Sequence, residues 1–170
     1  MARPDLSRVP QHFHGYINQV KQDDLMTAFN KQSKKAFRFF KNIPEEKYDY
    51  AYAEGKWTLK ELLQHIIDGE RVFCYRALTF SRNDKNNLPG FDENAWAPES
   101  NASERSWKDL LEEFKALRRS TEYLFGSFSE EQLERNGISN NNSIYVRALG
   151  FITVGHCTHH IKIIKERYLK

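Results

Sequence analysis

The sequence predicts an all-α protein, a four-helix bundle with a long connection between its second and third helices. Three observations carry this. Apolar residues recur at helical spacing in four long segments. Capping residues and prolines punctuate the ends of those segments. No useful length of chain alternates in the two-residue period of a half-buried strand.

Residues 1–22, with Pro4 and Pro10, read as a polar lead-in with a short helix around Tyr16 to Val20. The first long helix runs from about Asp23 to Lys41, with Leu25, Phe29, Ala36, Phe37 and Phe40 on one side. Asp23 and Asp24 suit its positive N-terminus, and Pro44 follows its end. Thr58-Leu59-Lys60-Glu61 fits a capping box that opens the second helix, in which Leu59, Leu62, Leu63, Ile66, Phe73, Ala77 and Phe80 form a broad apolar face. Residues 81–105, with Pro89, Gly90 and Pro98, form a long polar connection. A connection of that length joins distant helices or covers something.

The third helix lies near Ser106 to Phe128, carrying Trp107, Leu110, Leu111, Phe114, Leu117, Leu124 and Phe125. Ser129-Glu130-Glu131-Gln132 is a second capping box, opening a short turn that Gly137 ends. The polar stretch from Asn140 to Ser143 then leads into the last helix, about Ile144 to Leu169.

At 170 residues the chain is one domain, 1–170, large enough to bury a core. Hydrophobic content of 39% beside 29% charged residues argues against disorder. A net charge of +3, evenly interspersed, gives no nucleic-acid footprint. Cys74 and Cys157 make neither a CxxC motif nor a disulfide framework. No segment approaches the roughly 18 apolar residues of a membrane span, and the N-terminus lacks a signal-like apolar stretch. A soluble, cytoplasmic protein is the expectation.

The most informative stretch is Gly155-His156-Cys157-Thr158-His159-His160, within an apolar run. His156 and His160 lie about 40° apart on one helical face. Burying imidazoles among Ile152, Ile163 and Ile164 is costly unless something satisfies them, which a metal ion does. His65, on the stripe Leu62–His65–Gly69–Val72, is the candidate third ligand. Three neutral histidines leave a divalent ion with open positions, the arrangement of a catalytic rather than a structural site. His159 competes for either C-terminal position but is read as an outer or surface residue, and His12 and His14 as unrelated.

Asp68, one turn after His65, has three readings: a hydrogen bond to the free ring nitrogen of His65, a place on the metal, or a surface pair with Arg71 or Arg76. In a catalytic role it would steer or polarise a ligand. Both cysteines point away from the histidines and read as core. So do Trp57 and Trp107, while Arg118 reads as a solvated flank of the third helix.

Several segments together resemble the DinB/YfiT-like superfamily. They are Gly55-Lys56-Trp57-Thr58, His65 through Arg71, Leu88-Pro89-Gly90-Phe91-Asp92-Glu93, Leu111 through Arg118, and Gly155 through His160. The resemblance spans nearly the whole chain in order. It implies a four-helix bundle holding one divalent ion, nickel or zinc, on His65, His156 and His160. It also implies relatives that activate a low-molecular-weight thiol, such as bacillithiol S-transferases, and that form homodimers. The expected activity is transfer of such a thiol to an electrophile. Hydrolysis by an activated water, or non-catalytic metal or ligand binding, stands beside it. Small molecules are the expected partners.

Overall fold

The computed structural model describes residues 2–170 of the chain. The lead-in forms two single 3-10 turns and then α1 (His14–Asn18). The first long helix is α2 (Leu25–Lys41), whose N-cap Asp24 accepts from the Thr27 amide. The second is α3 (Leu59–Ser81), opened by the expected capping box between Thr58 and Glu61. The connection after it is not plain loop. It carries β1 (Asn87–Leu88) and α4 (Glu93–Glu99), the latter capped by Asp92. The third long helix is α5 (Trp107–Gly126), N-capped by Ser106. The short α6 (Glu130–Glu134) follows with its own capping box. A hairpin of β2 (Asn136–Ser139) and β3 (Asn142–Tyr145) precedes α7 (Val146–Ile163), which ends in a π-helical turn through Tyr168.

Around the bundle the long helices neighbour one another in the cyclic order α2, α5, α3, α7. Helices consecutive in the chain, α2 with α3 and α5 with α7, therefore stand across its diagonals. This accounts for the long connections 42–58 and 127–145, which have to cross an end of the bundle. No helix among the described residues is long and apolar enough to cross a membrane.

The all-α class holds, and within it residues 87–88, 136–139 and 142–145 form short strands that the sequence analysis did not foresee. The strands make one sheet in the order β1-β2-β3, with β1 parallel to β2 and β2 antiparallel to β3. Asn140 and Asn141, at φ 48° and 60°, form the two-residue turn between Ser139 and Asn142. Both positions need a left-handed backbone, which asparagine tolerates. The last helix accordingly starts at Val146, two residues later than its apolar pattern begins. The sheet also turns the chain back. β1 pairs with β2, the Asn140 amide donates to Leu88 O at 2.9 Å, and α4 returns alongside α3 near His65.

The core falls into two apolar clusters. One gathers Ile17, Phe29, Phe73, Phe125 and Phe151; the other gathers Phe40, Leu63, Ile66, Phe114 and Ile164. Between them lies Arg118, which the sequence puts on a solvated flank and the structure buries completely. Its Nε and Nη2 donate to both oxygens of Glu70 at 2.7 to 3.1 Å, and its Nη1 donates to Gln32. The guanidinium lies 5.6 Å from the Phe29 ring and 5.2 Å from Phe114, one ring from each cluster. Helical periodicity gave the face of α5; it could not show that Glu70 of α3 and Gln32 of α2 close over that face.

Burial opposes the charge on Arg118, but Glu70 more than offsets it and raises the guanidinium above its ordinary range. Removing one partner leaves a bare buried charge, at a cost of about 3–5 kcal/mol. Arg118→Met and Glu70→Gln are each expected to lose that much in urea unfolding, and Arg118→Met with Glu70→Leu to regain most of it. A loss below about 1 kcal/mol in both single variants would show that the pair is not structurally required.

Candidate metal centre

His65 comes from the first third of α3, and His156 and His160 from successive turns of α7. These two helices are direct neighbours in the bundle. Their crossing brings one nitrogen of each ring to within 4.8 Å of the others. His156 Nε2 lies 3.0 Å from His65 Nε2 and 3.0 Å from His160 Nε2. A neutral imidazole nitrogen has either one hydrogen or one lone pair. His156 Nε2 therefore cannot satisfy both neighbours. A cation accepting all three lone pairs does, and nitrogens about 2.0–2.1 Å from a common ion can sit this close together. His160 Nδ1 is buried without a partner among the described residues. The donor set fits a divalent ion.

Burial lowers the His65 pKa to about 4, although the Glu93 carboxylate pulls the other way. Burial, reinforced by the neighbouring rings, drives His156 and His160 well below the usual histidine range. All three rings are neutral near pH 7 and keep the lone pairs that ligation requires.

Two glycines make room for this packing. A Cβ on Gly69 would stand 3.0 Å from His156 Cε1, so the absent side chain leaves space for the ring. Glycine inside a helix costs about 0.8–1.0 kcal/mol against alanine, which places its value in that space. A Cβ on Gly155 would stand 2.2 Å from the backbone oxygen of Tyr16. This close approach seats α1 on α7 and sets the Tyr16 ring edge-on to His156 at 5.4 Å. Trp57 lies against His65 at 4.8 Å between ring centres, and Tyr168 anchors it by donating to Trp57 O at 2.7 Å.

The imidazoles open into a cavity of about 370 Å³. Its walls include Tyr16, Phe73, Phe91 and Glu93, with Arg76 and Asn140 also facing it. Residues 81–105 leave the far end of α3, about 22 Å of helix from His65. The sheet carries them back, so that Phe91 and Glu93 do cover the site.

Asp68 lies in a different network. It accepts from Gln64 Nε2 at 2.9 Å and pairs with Arg71 at 3.5 Å, while Arg71 and Arg105 both bind Glu113. It bonds none of the three imidazoles among the described residues. His159 stands half-buried against Tyr16 and Gln19, outside the group. His14 bonds Val9 O, but His12 lines the cavity, so the lead-in is not unrelated to the site. Trp57 likewise belongs to the site wall as well as to the packing. Cys74 and Cys157 are held by burial as thiols, their pKa values raised to about 12 and 11, away from the imidazoles.

Sequence reasoning named Gly69 on the His65 stripe, Arg76 as a partner for Asp68 and Glu93 within a family motif, but gave none of them, nor Tyr16, a place in the site. Gly69, one turn after His65 inside a helix, was itself a visible sign of close packing. The other three have no local signal, because only the folding back of distant segments brings them to the cavity.

The sequence profile of the DinB superfamily matches residues 28–164. The Putative metal-dependent hydrolase OB0413 of Oceanobacillus iheyensis is 27% identical over 128 residues, covering 73% of this chain and 72% of its own. Among solved structures, YfiT from Bacillus subtilis is similar at a TM-score of 0.71 and 18% identity, covering 84% of this chain and 82% of that one. It is described as a probable metal-dependent hydrolase with an unusual four-helix bundle topology.

Gly69→Val is expected to displace His156 and weaken zinc or nickel binding at least tenfold, with helical circular dichroism unchanged. Unaltered affinity would mean that the ring has room to spare. A second expectation concerns acid. Unfolded histidines titrate near 6.5 while these stay neutral, so the unfolded chain binds more protons below that pH. The urea midpoint of chelator-treated protein should hold above about pH 6.5 and fall toward pH 4. A flat profile over that range would contradict three buried neutral rings.

Proposed function

The chain belongs to the DinB superfamily, and on that premise we propose that it is a divalent-metal-dependent enzyme that activates a small nucleophile in the cavity above His65, His156 and His160. One observation carries the reading: three neutral imidazoles from two helices turn their nitrogens toward one point at a cavity wall. A divalent ion held there, zinc or nickel, would supply Lewis acidity, acidifying a bound nucleophile and polarising the bond under attack.

Hydrolysis of a small ester, lactone or amide is the leading reaction. It is supported by Glu93, which faces the same cavity and acts electrostatically on both His65 and Tyr16. Its carboxylate can take a proton from an attacking water and return it to the leaving group. Tyr16, Phe73 and Phe91 add aromatic walls beside it. The two relatives described as hydrolases agree with this reading.

Thiol transfer to an electrophile such as an epoxide or alkyl halide is the second reading. The aromatic walls favour it, since they suit an apolar electrophile. The thiol would be a separate small molecule, because half-buried Cys74 and buried Cys157 both lie outside the cavity lining.

Elemental analysis of gently purified wild type, His65→Ala and His160→Ala tests the premise. About one divalent ion per chain, lost in both variants, is expected. A wild type that neither holds nor gains zinc or nickel would overturn it. With metal present, turnover of p-nitrophenyl esters without added thiol is expected. It should vanish on chelation, return on adding the ion, and fall roughly 10²–10⁴-fold in Glu93→Gln without loss of metal. Turnover only when a thiol and an electrophile are both supplied would assign the second reaction.

A further inference from the structure

Three arginines are buried among the described residues: Arg76, Arg118 and Arg147. Arg118 is held by Glu70, and Arg147 by Glu130 and Glu134. Arg76, only 5% exposed, has no carboxylate within ion-pair distance among the described residues. Among the described residues its one hydrogen bond is from Nη2 to Pro89 O at 3.1 Å. A guanidinium carries five N–H donors, and a buried charge is ordinarily paired. Arg76 lines the same cavity as His65, His156 and His160.

Arg76 is eleven residues after His65 on α3. Eleven steps return to within about 20° of the same face, about 16 Å along the axis, and side chains lean back toward the helix N-terminus. Its guanidinium thus belongs to the far end of a slot whose near end is the imidazole group. It is the one lysine or arginine lining that slot among the described residues. Ser139, Asn140 and Asn142 add neutral hydrogen-bonding groups to the wall.

We propose that Arg76 anchors a carboxylate of the substrate, so that the enzyme acts on small acyl compounds carrying a carboxylate remote from the reacting group. This rests on the cavity being the substrate site. A single guanidinium matches a carboxylate in a two-pronged pair. A dianionic phosphate would meet only one positive side chain, with Glu93 on another wall of the same cavity. The contact to Pro89 O orients the fork, since it ties Arg76 to the strand connection that closes the slot.

The test is calorimetric binding of 3-phenylpropionate, 3-phenylpropanamide and phenyl phosphate to chelator-treated protein, so that no metal can capture the anion. Wild type is expected to bind the acid at least tenfold more tightly than the amide. Arg76→Met should abolish that preference, and Arg76→Lys should restore part of it. Equal binding of acid and amide by wild type overturns the proposal without any variant. So does a preference that persists in Arg76→Met. Stronger, Arg76-dependent binding of phenyl phosphate overturns the assignment to carboxylates. If Arg76→Met does not fold, Arg76→Lys and the wild-type comparison still decide.

With the metal-loaded enzyme, the same preference should appear in KM for mono-p-nitrophenyl glutarate against p-nitrophenyl valerate, with kcat little changed in Arg76→Lys. An effect on kcat alone would assign Arg76 a merely structural role. A protein that holds metal but lacks the preference loses this inference and keeps the proposed function. One that binds the acid through Arg76 but holds no metal does the reverse.

Discussion

The pairing of Glu70 with Arg118 is the constraint on which the arrangement of this bundle depends. It stands where two apolar clusters meet, and one guanidinium reaches α2 and α3 from α5. Apolar contact alone tolerates sliding of one helix on another, because dispersion and burial are non-directional. A two-pronged pair that is fully dehydrated does not, since any slip strands a charge. Glu70 follows Gly69, whose missing side chain admits His156. The register enforced by the ion pair is therefore also the register that brings the α3 and α7 histidines together.

The site is completed from outside the four long helices. α1 can touch α7 only because Gly155 has no Cβ, and that contact delivers Tyr16. The small sheet does the corresponding work on the other side. By pairing β1 with the hairpin it reverses a connection that leaves the wrong end of α3, and so returns Phe91 and Glu93 to the imidazoles. The bundle provides a rigid floor of ligands, while shorter elements provide the walls that govern access and charge.

That division explains what could be read in advance. The capping boxes at Thr58 and Ser129 and the apolar stripes of α2, α3, α5 and α7 are local patterns of a few residues, and the structure follows them closely. His156 and His160 were legible as a pair because a helix places residues four apart together whatever its surroundings. Their junction with His65 depended on two apolar faces meeting, an expectation the bundle architecture made reasonable. The strands were missed because four-residue stretches give too short an alternation, although Asn140-Asn141 between them was a turn signal. Arg118 was misplaced because burial of a charge depends on a partner that lies 48 residues away.

By itself, then, the sequence determined helix positions and the pairing of His156 with His160, since each follows from periodicity along one element; the bundle class and the place of His65 followed from taking several such elements together. Tertiary structure alone decided that Arg118 is interior, that Asp68 belongs to the Arg71 network, and that Glu93 and Arg76 face the cavity. Those facts are set by which segments from distant parts of the chain come together. No spacing within a single helix encodes that proximity.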